Sequence, residues 1–166
     1  FDRLVPLWQL RLYLMEVHGQ TDFYKDLYER CIQMNKATYS HGQWQLAFVY
    51  NCCITANMDL RPFFEKWGWL TPTEQIVNDY GTDTLSVTQR DIETLNKEIS
   101  SLHLPLLTDA VEYLTDKNLH LYQHPQTPMT GNVQYNNAGT IHITDSQGIV
   151  AFEVFNENTL VGVSHN

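Results

Sequence analysis

Along residues 1–70 the apolar positions recur three and four apart, the spacing of a helix face rather than of a strand. Leu4, Leu7, Trp8, Leu10, Leu12, Leu14, Met15 and Val17 are apolar almost all round. They predict a helix over Leu4–His18, buried on most sides, with Asp2 at its cap, Pro6 in its first turn and Gly19 closing it. Thr21 or Asp22 then caps a second helix that carries Phe23, Leu27, Tyr28, Cys31 and Ile32. A polar, turn-rich stretch, Asn35–Gly42, separates it from the part of the chain densest in aromatics, Gln43–Leu70. Here Leu46, Val49, Tyr50 and Cys53 mark one helix, and Asn57-Met58-Asp59 interrupts it. Asp59 is placed to cap a short helix with Leu60, Phe63, Phe64 and Trp67 on one face and Gly68 at its end. Two aromatic helices meeting at a tight corner read as the centre of a helical core.

The pattern changes over 71–86, where Pro72, Gly81 and several Thr and Asp replace the helical period. That composition predicts a linker, with at most a helical turn at Glu74–Asn78. Thr88 then caps a helix over Gln89–Leu102 whose apolar face is Ile92, Leu95 and Ile99. Beyond Pro105 the period becomes two. Ala110–Leu114, Asn118–Tyr122, Asn132–Tyr135, Thr140–Thr144, Val150–Phe155 and Leu160–Val163 read as short strands separated by turn signals such as Asn136-Asn137-Ala138-Gly139. The expected fold class is α+β: a helical bundle of about four helices over 1–70, the linker 71–86, and over 87–166 a helix with a small antiparallel β-sandwich-like module.

Charge and cysteine content narrow the functional classes. A formal net charge of -9 disfavours nucleic acid as a partner, because phosphate binding needs a basic face. There is no long uncharged apolar run, so no transmembrane segment is expected. Three cysteines, Cys31, Cys52 and Cys53, make neither a disulfide framework nor a spaced zinc set. The chain opens on Phe1 without a signal peptide, which suggests a piece of something longer.

Candidate chemistry is sparse. His18 ends a helix, where its charge suits the dipole. His120, His124 and His142 lie on or beside expected strands without the spacing of metal ligands, and Glu29, Asp59 and Glu65 are scattered. No histidine is followed by glutamate, so H-E-x-x-H is absent, as are phosphate loops and nucleophile elbows. His41, Gln43, Trp44 and Gln45 are the exposed residues best suited to meet a ligand, since aromatic faces stack on sugars and amides hydrogen-bond to them.

LVPLWQLRLYLMEV, DFYKDLYERC, GQWQLAFVYNCC and MDLRPFFEKWGWL, in this order over Phe1–Leu70, resemble the end of the catalytic domain in enhancin-like zinc metallopeptidases, which attack mucins and other O-glycoproteins. VTQRDIETLNKEI and VAFEVFNENTLVGVS resemble the region after that domain in gut-Bacteroidetes members. The resemblance implies a secreted, cell-surface or periplasmic zinc metallopeptidase as parent. It places the zinc ligands and general base upstream, leaving no catalytic or metal residue here and no cofactor in this stretch. The partners it implies are the rest of the catalytic domain and a glycoprotein or glycan substrate, met by His41, Gln43, Trp44 and Gln45. Tyr113, Tyr122 and Tyr135 motivate the alternative, a carbohydrate- or protein-binding β-module carried by a supporting helical domain.

Overall fold

The computed structural model describes residues 4–34, 39–78, 81–125, 129–135 and 140–165. The expected cap at Asp2 and the expected turn Asn136–Gly139 lie outside the described residues. The chain divides into two compact units, Phe1–Glu112 and Tyr113–Asn166. The class is α+β, with the helices mostly in the first part and antiparallel strands after them.

The first unit begins with α1 (Leu4–Leu10), which runs on as a π-helical segment, Arg11–Val17. The wider helix is visible in the bond from His18 N to Tyr13 O (3.1 Å), a five-residue step. Gly19 ends the run at a positive φ of 68°. Leu10, Leu12 and Leu14 are fully buried, whereas Leu4 and Trp8 in the first turns stay 77% and 45% exposed, so the helix is not buried all round. Next come α2 (Phe23–Gln33) and α3 (His41–Ala56). Helix α3 starts ahead of Gln43 because Ser40 and Gln43 form a reciprocal capping box.

The corner between α3 and α4 (Arg61–Lys66) follows the expected pattern, with one shift. Asn57 takes the left-handed conformation (φ 49°), Leu60 occupies the cap position, and Asp59 reaches past it to accept from Arg61 N at 3.1 Å. Asp59 also anchors the loop from α5: its N–H donates to Pro105 O (2.8 Å), and Leu107 N donates to its carbonyl (3.1 Å). Phe63 and Phe64 are essentially inaccessible and form the middle of the core. Helix α5 (Gln89–Ser101) opens with a Thr88–Asp91 capping box and buries Ile92, Leu95 and Ile99, as its spacing predicts.

The described residues of 71–86 lie within the first unit, and Glu74–Asn78 is strand rather than a helical turn. β1 (Thr73–Asn78) and β2 (Thr82–Val87) pair antiparallel in unbroken register from Thr73↔Val87 to Asn78↔Thr82. β-branched residues at Thr73, Ile76, Val77, Thr82, Thr84 and Val87 favour that choice. Alternation does the rest: Leu85 and Val87 are buried, Thr84 and Ser86 exposed, and β2 lies against α3. The approach is so close that a Cβ on Gly42 would stand 1.7 Å from Ser86 O.

Two segments expected as strands are helical. Val111–Tyr113, at the boundary of the units, is a single 3-10 turn, and Leu119–Gln123 is a short helix, α6. The cause is Asn118, whose side chain accepts from Thr115 N (2.8 Å) and donates to Tyr113 O (2.9 Å). Such local side-chain bonds favour a turn over a ladder. The remaining four strands form where expected, as two hairpins, β3–β4 (Thr130–Tyr135, Ile141–Gln147) and β5–β6 (Ala151–Asn156, Thr159–His165), each with one register shift. They pair as separate two-stranded sheets.

Candidate functional site: an uncharged aromatic groove

Helical geometry decides which residues at the start of α3 can act together. His41, Trp44, Gln45 and Phe48 stand at i, i+3, i+4 and i+7, hence on one face. Gln43, Leu46, Ala47 and Tyr50 repeat that spacing on another face. The first set lines a groove of about 810 Å³, together with Trp67, Trp69, Thr73, Gln75, Val77 and Leu85. The second set lines a smaller cavity against α5, of about 510 Å³, with Asp91 and Glu98. Three of the four residues singled out in the sequence therefore converge. Gln43 does not join them, and its amide oxygen is engaged by Ser40 N at 2.9 Å.

The groove is held by aromatic packing and a few directed bonds. Gly68, at φ 72°, reverses the chain after α4, and Trp69 N returns to Phe64 O at 2.9 Å. Trp69 thereby lands on Phe64 and Phe48, with ring centroids 5.3 and 5.6 Å apart, and each such pair is worth about 0.5–1.5 kcal/mol beyond its burial. Gln45 Nε2 donates to Trp69 O (2.7 Å), so its amide is oriented by the turn it lies against. Trp67 Nε1 donates to Oε1 of the buried Gln9 (3.0 Å), whose Nε2 donates to Glu112 O (2.8 Å). At the rim, Trp44 meets Tyr39 edge-on at 5.4 Å, and His41 Nε2 lies 3.0 Å from Asp83 Oδ2 on β2. The inner column of β1, Thr73, Gln75 and Val77, supplies one wall.

The described lining offers aromatic faces and amide groups, and the one side chain in it able to exchange a proton near neutral pH is His41. Among the described residues no Asp, Glu, Lys or Arg lines the groove, and His41 is the one titratable side chain in the lining. Among the described residues no three His, Cys, Asp or Glu side chains are placed to hold a metal ion. The described residues do not fit a catalytic zinc. The strongest electrostatic pair lies elsewhere: Arg61 makes a forked contact with Asp59 (2.8 and 2.5 Å) and reaches Asn96 O (3.0 Å) and Ser100 Oγ (3.1 Å) on α5. Burial opposes ionisation of Asp59, but the hydrogen bonds and charge of Arg61 outweigh it and hold the carboxyl below its ordinary value. Burial likewise pushes the Cys53 thiol up to about 12 and that of Cys52 well above its usual value.

Sequence reasoning missed Trp67, Trp69, Phe48 and the β1 wall. The signal for the aromatics was the W-G-W run at 67–69, which marks two large rings on either side of a reversal.

Residues 1–68 match the family model described as peptidase M60, enhancin and enhancin-like. No curated protein matches the chain in sequence. Among solved structures, a metallopeptidase from Bacteroides thetaiotaomicron superposes with a TM-score of 0.77 at 20% identity, covering 96% of this chain and 31% of its own. A metallopeptidase solved in complex with Tn antigen gives 0.74 at 22% identity, covering 96% and 34%. The ZmpB metallopeptidase from Clostridium perfringens gives 0.57 at 18%, covering 99% and 28%. The chain thus spans about a third of the length of these structures. In sequence over residues 1–68, and in fold nearly throughout, it is similar to a part of the enhancin-like metallopeptidases.

Proposed function

We propose that the first unit is a substrate-binding wall of a zinc metallopeptidase that acts on O-glycoproteins such as mucins outside the cell or at its surface. In this reading the longer protein supplies the zinc ligands and the general base from other residues, and this unit supplies recognition. The observation that carries it is the convergence of Trp44, Trp67 and Trp69 with the amides of Gln45 and Gln75 on one uncharged groove. Indole faces stack on the apolar faces of sugar rings, and oriented amides accept from or donate to their hydroxyls and acetamido groups. A relative in fold was solved with Tn antigen, a sugar O-linked to Ser or Thr, which supports that ligand class.

The test uses the tryptophans themselves. GalNAc-α-O-threonine titrated into the 166-residue chain changes the Trp fluorescence saturably, and Trp44→Ala weakens the affinity roughly tenfold, about 1.4 kcal/mol. Wild type and Trp44→Ala responding identically would refute the reading. A second reading, recognition by the β-module, is favoured by the β3–β4 face where Val133 and Tyr135 are 66% and 73% exposed. Loss of glycan binding in Tyr135→Ala rather than Trp44→Ala would select it.

A further inference from the structure

Trp67 lines the groove with its polar edge tied into the protein. Its Nε1–H donates to Gln9 Oε1 (3.0 Å), and Gln9 Nε2 donates in turn to Glu112 O (2.8 Å). Gln9 belongs to α1, is 4% exposed and is not part of the lining. Glutamine is seldom buried, because its amide loses hydration that only protein partners can replace. Here the two partners also fix its direction, since an indole N–H can only donate and a peptide carbonyl can only accept. Reversing the amide would break both bonds and leave polar groups unpaired in the core. The far partner is itself held. Tyr13, one turn beyond Gln9 on the same helical run, donates from its hydroxyl to Asp109 Oδ2 (2.8 Å). Residues 109–112 are thus fastened to this run at two places, with Val111 fully buried between them.

We infer that Gln9 is a positioning residue for the groove: it holds Trp67 so that the ring, and not the N–H, is what a ligand meets. The inference rests on the groove being a substrate-binding wall and says how one of its rings is used. Trp67 has a single donor, and that donor is spent on Gln9. The ring therefore contributes stacking on an apolar sugar face, and the ligand's hydroxyls are left to the amides of Gln45 and Gln75. Holding the ring in advance also spares the ligand the entropic cost of ordering it, which is how a residue outside the groove raises affinity within it.

The test follows the indole N–H of Trp67 by proton–nitrogen NMR of the whole chain. Four tryptophans give four such signals, and Trp67→Phe identifies the one that disappears. In wild type this N–H exchanges slowly, and bound GalNAc-α-O-threonine shifts the Trp67 ring carbons while the N–H stays protected. Gln9→Met keeps the size of the side chain and removes both bonds. It opens the N–H to exchange and weakens sugar binding roughly two- to tenfold, about one stacking contact. In the Trp67→Phe chain, which has no N–H to hold, Gln9→Met weakens binding no further. A folded Gln9→Met chain that binds the sugar as wild type does overturns the proposal. So does an equal loss in the Trp67→Phe background, or a Trp67 N–H protected only when sugar is bound. If Gln9→Met does not fold, the wild-type signal decides: fast exchange, or ring carbons unmoved by a sugar that binds, overturns the role of Gln9. The substrate reading fails separately. Wild type that binds no sugar removes that reading, whereas slow exchange that is lost in Gln9→Met keeps the hold of Gln9 on Trp67.

Discussion

Gly42→Ala sets two opposed effects of known size against each other at the joint between α3 and the hairpin. Gly42 lies in the first turn of α3 and is not among the residues with positive φ, so its backbone conformation does not require glycine. On propensity alone alanine stabilises the helix, by about 1 kcal/mol at most. Packing says the reverse. The new Cβ falls 1.7 Å from Ser86 O and 2.7 Å from Ser86 C, both backbone atoms that cannot swing aside. Forcing extra volume into such a contact costs about 1–3 kcal/mol. If β2 lifts away instead, Leu85 and Val87, at 5% and 2% exposure, lose burial worth about 1.5–3 kcal/mol each. A net loss of about 1–4 kcal/mol is therefore expected. Urea unfolding followed by far-UV circular dichroism measures it, and hydrogen exchange localises the loosened amides to Thr82–Val87. An alanine variant as stable as wild type, or more stable, would refute the claim that β2 is clamped on Gly42.

Arg61→Met leaves Asp59 buried without its cation and should cost about 3–5 kcal/mol in the same assay; a change below about 1 kcal/mol would mean that water takes over the role of the guanidinium. Acid should destabilise the fold. Asp59 sits below its ordinary 3.8 in the folded chain, so the unfolded chain takes up the proton first. Its contribution is present above about pH 4 and lost as the pH falls through the lowered value, and a urea midpoint flat from about pH 6 to 3 would contradict this. Thiol titration with a chromogenic disulfide at about pH 8 should modify Cys31 in the folded chain while Cys52 and Cys53, buried and with raised pKa, react only after unfolding. Three equivalents reacting at one fast rate would show that the α2–α3 core opens readily.

The helical corner was legible because its signals are local and agree. The αL stop at Asn57, the reversal at Gly68 and the capping box at Thr88 each satisfy a specific backbone group, and each can be read from a few adjacent residues. The hairpin at 73–87 was not, because Pro72 ahead of β1 and Gly81 ahead of β2 would mark a linker just as plainly. What makes it a wall is Leu85 and Val87 packing on α3, a contact between distant positions. The same limit applies to the groove. His41, Trp44 and Gln45 are neighbours in sequence, but Trp69 joins them only because a glycine folds it back onto Phe48 and Phe64. Asn118 misled the reading of 110–122 through its side chain, which closes a turn where alternation suggested strands. The separation of Gln43 from its neighbours, by contrast, is a matter of the helical wheel and was available from the start.

The uncharged lining of the groove has a consequence for selectivity. The chain as a whole carries -9, so its field repels anions, over a distance of about 8 Å at physiological ionic strength. With no lysine or arginine in the lining among the described residues, no described cation compensates a sialic acid or a sulfate for leaving water. Under the proposed function, neutral glycans would enter at no such cost and with an affinity indifferent to salt, whereas acidic glycans would be held off less as salt screens the surface. Ionic strength would then act as a filter on which sugars reach the proposed site.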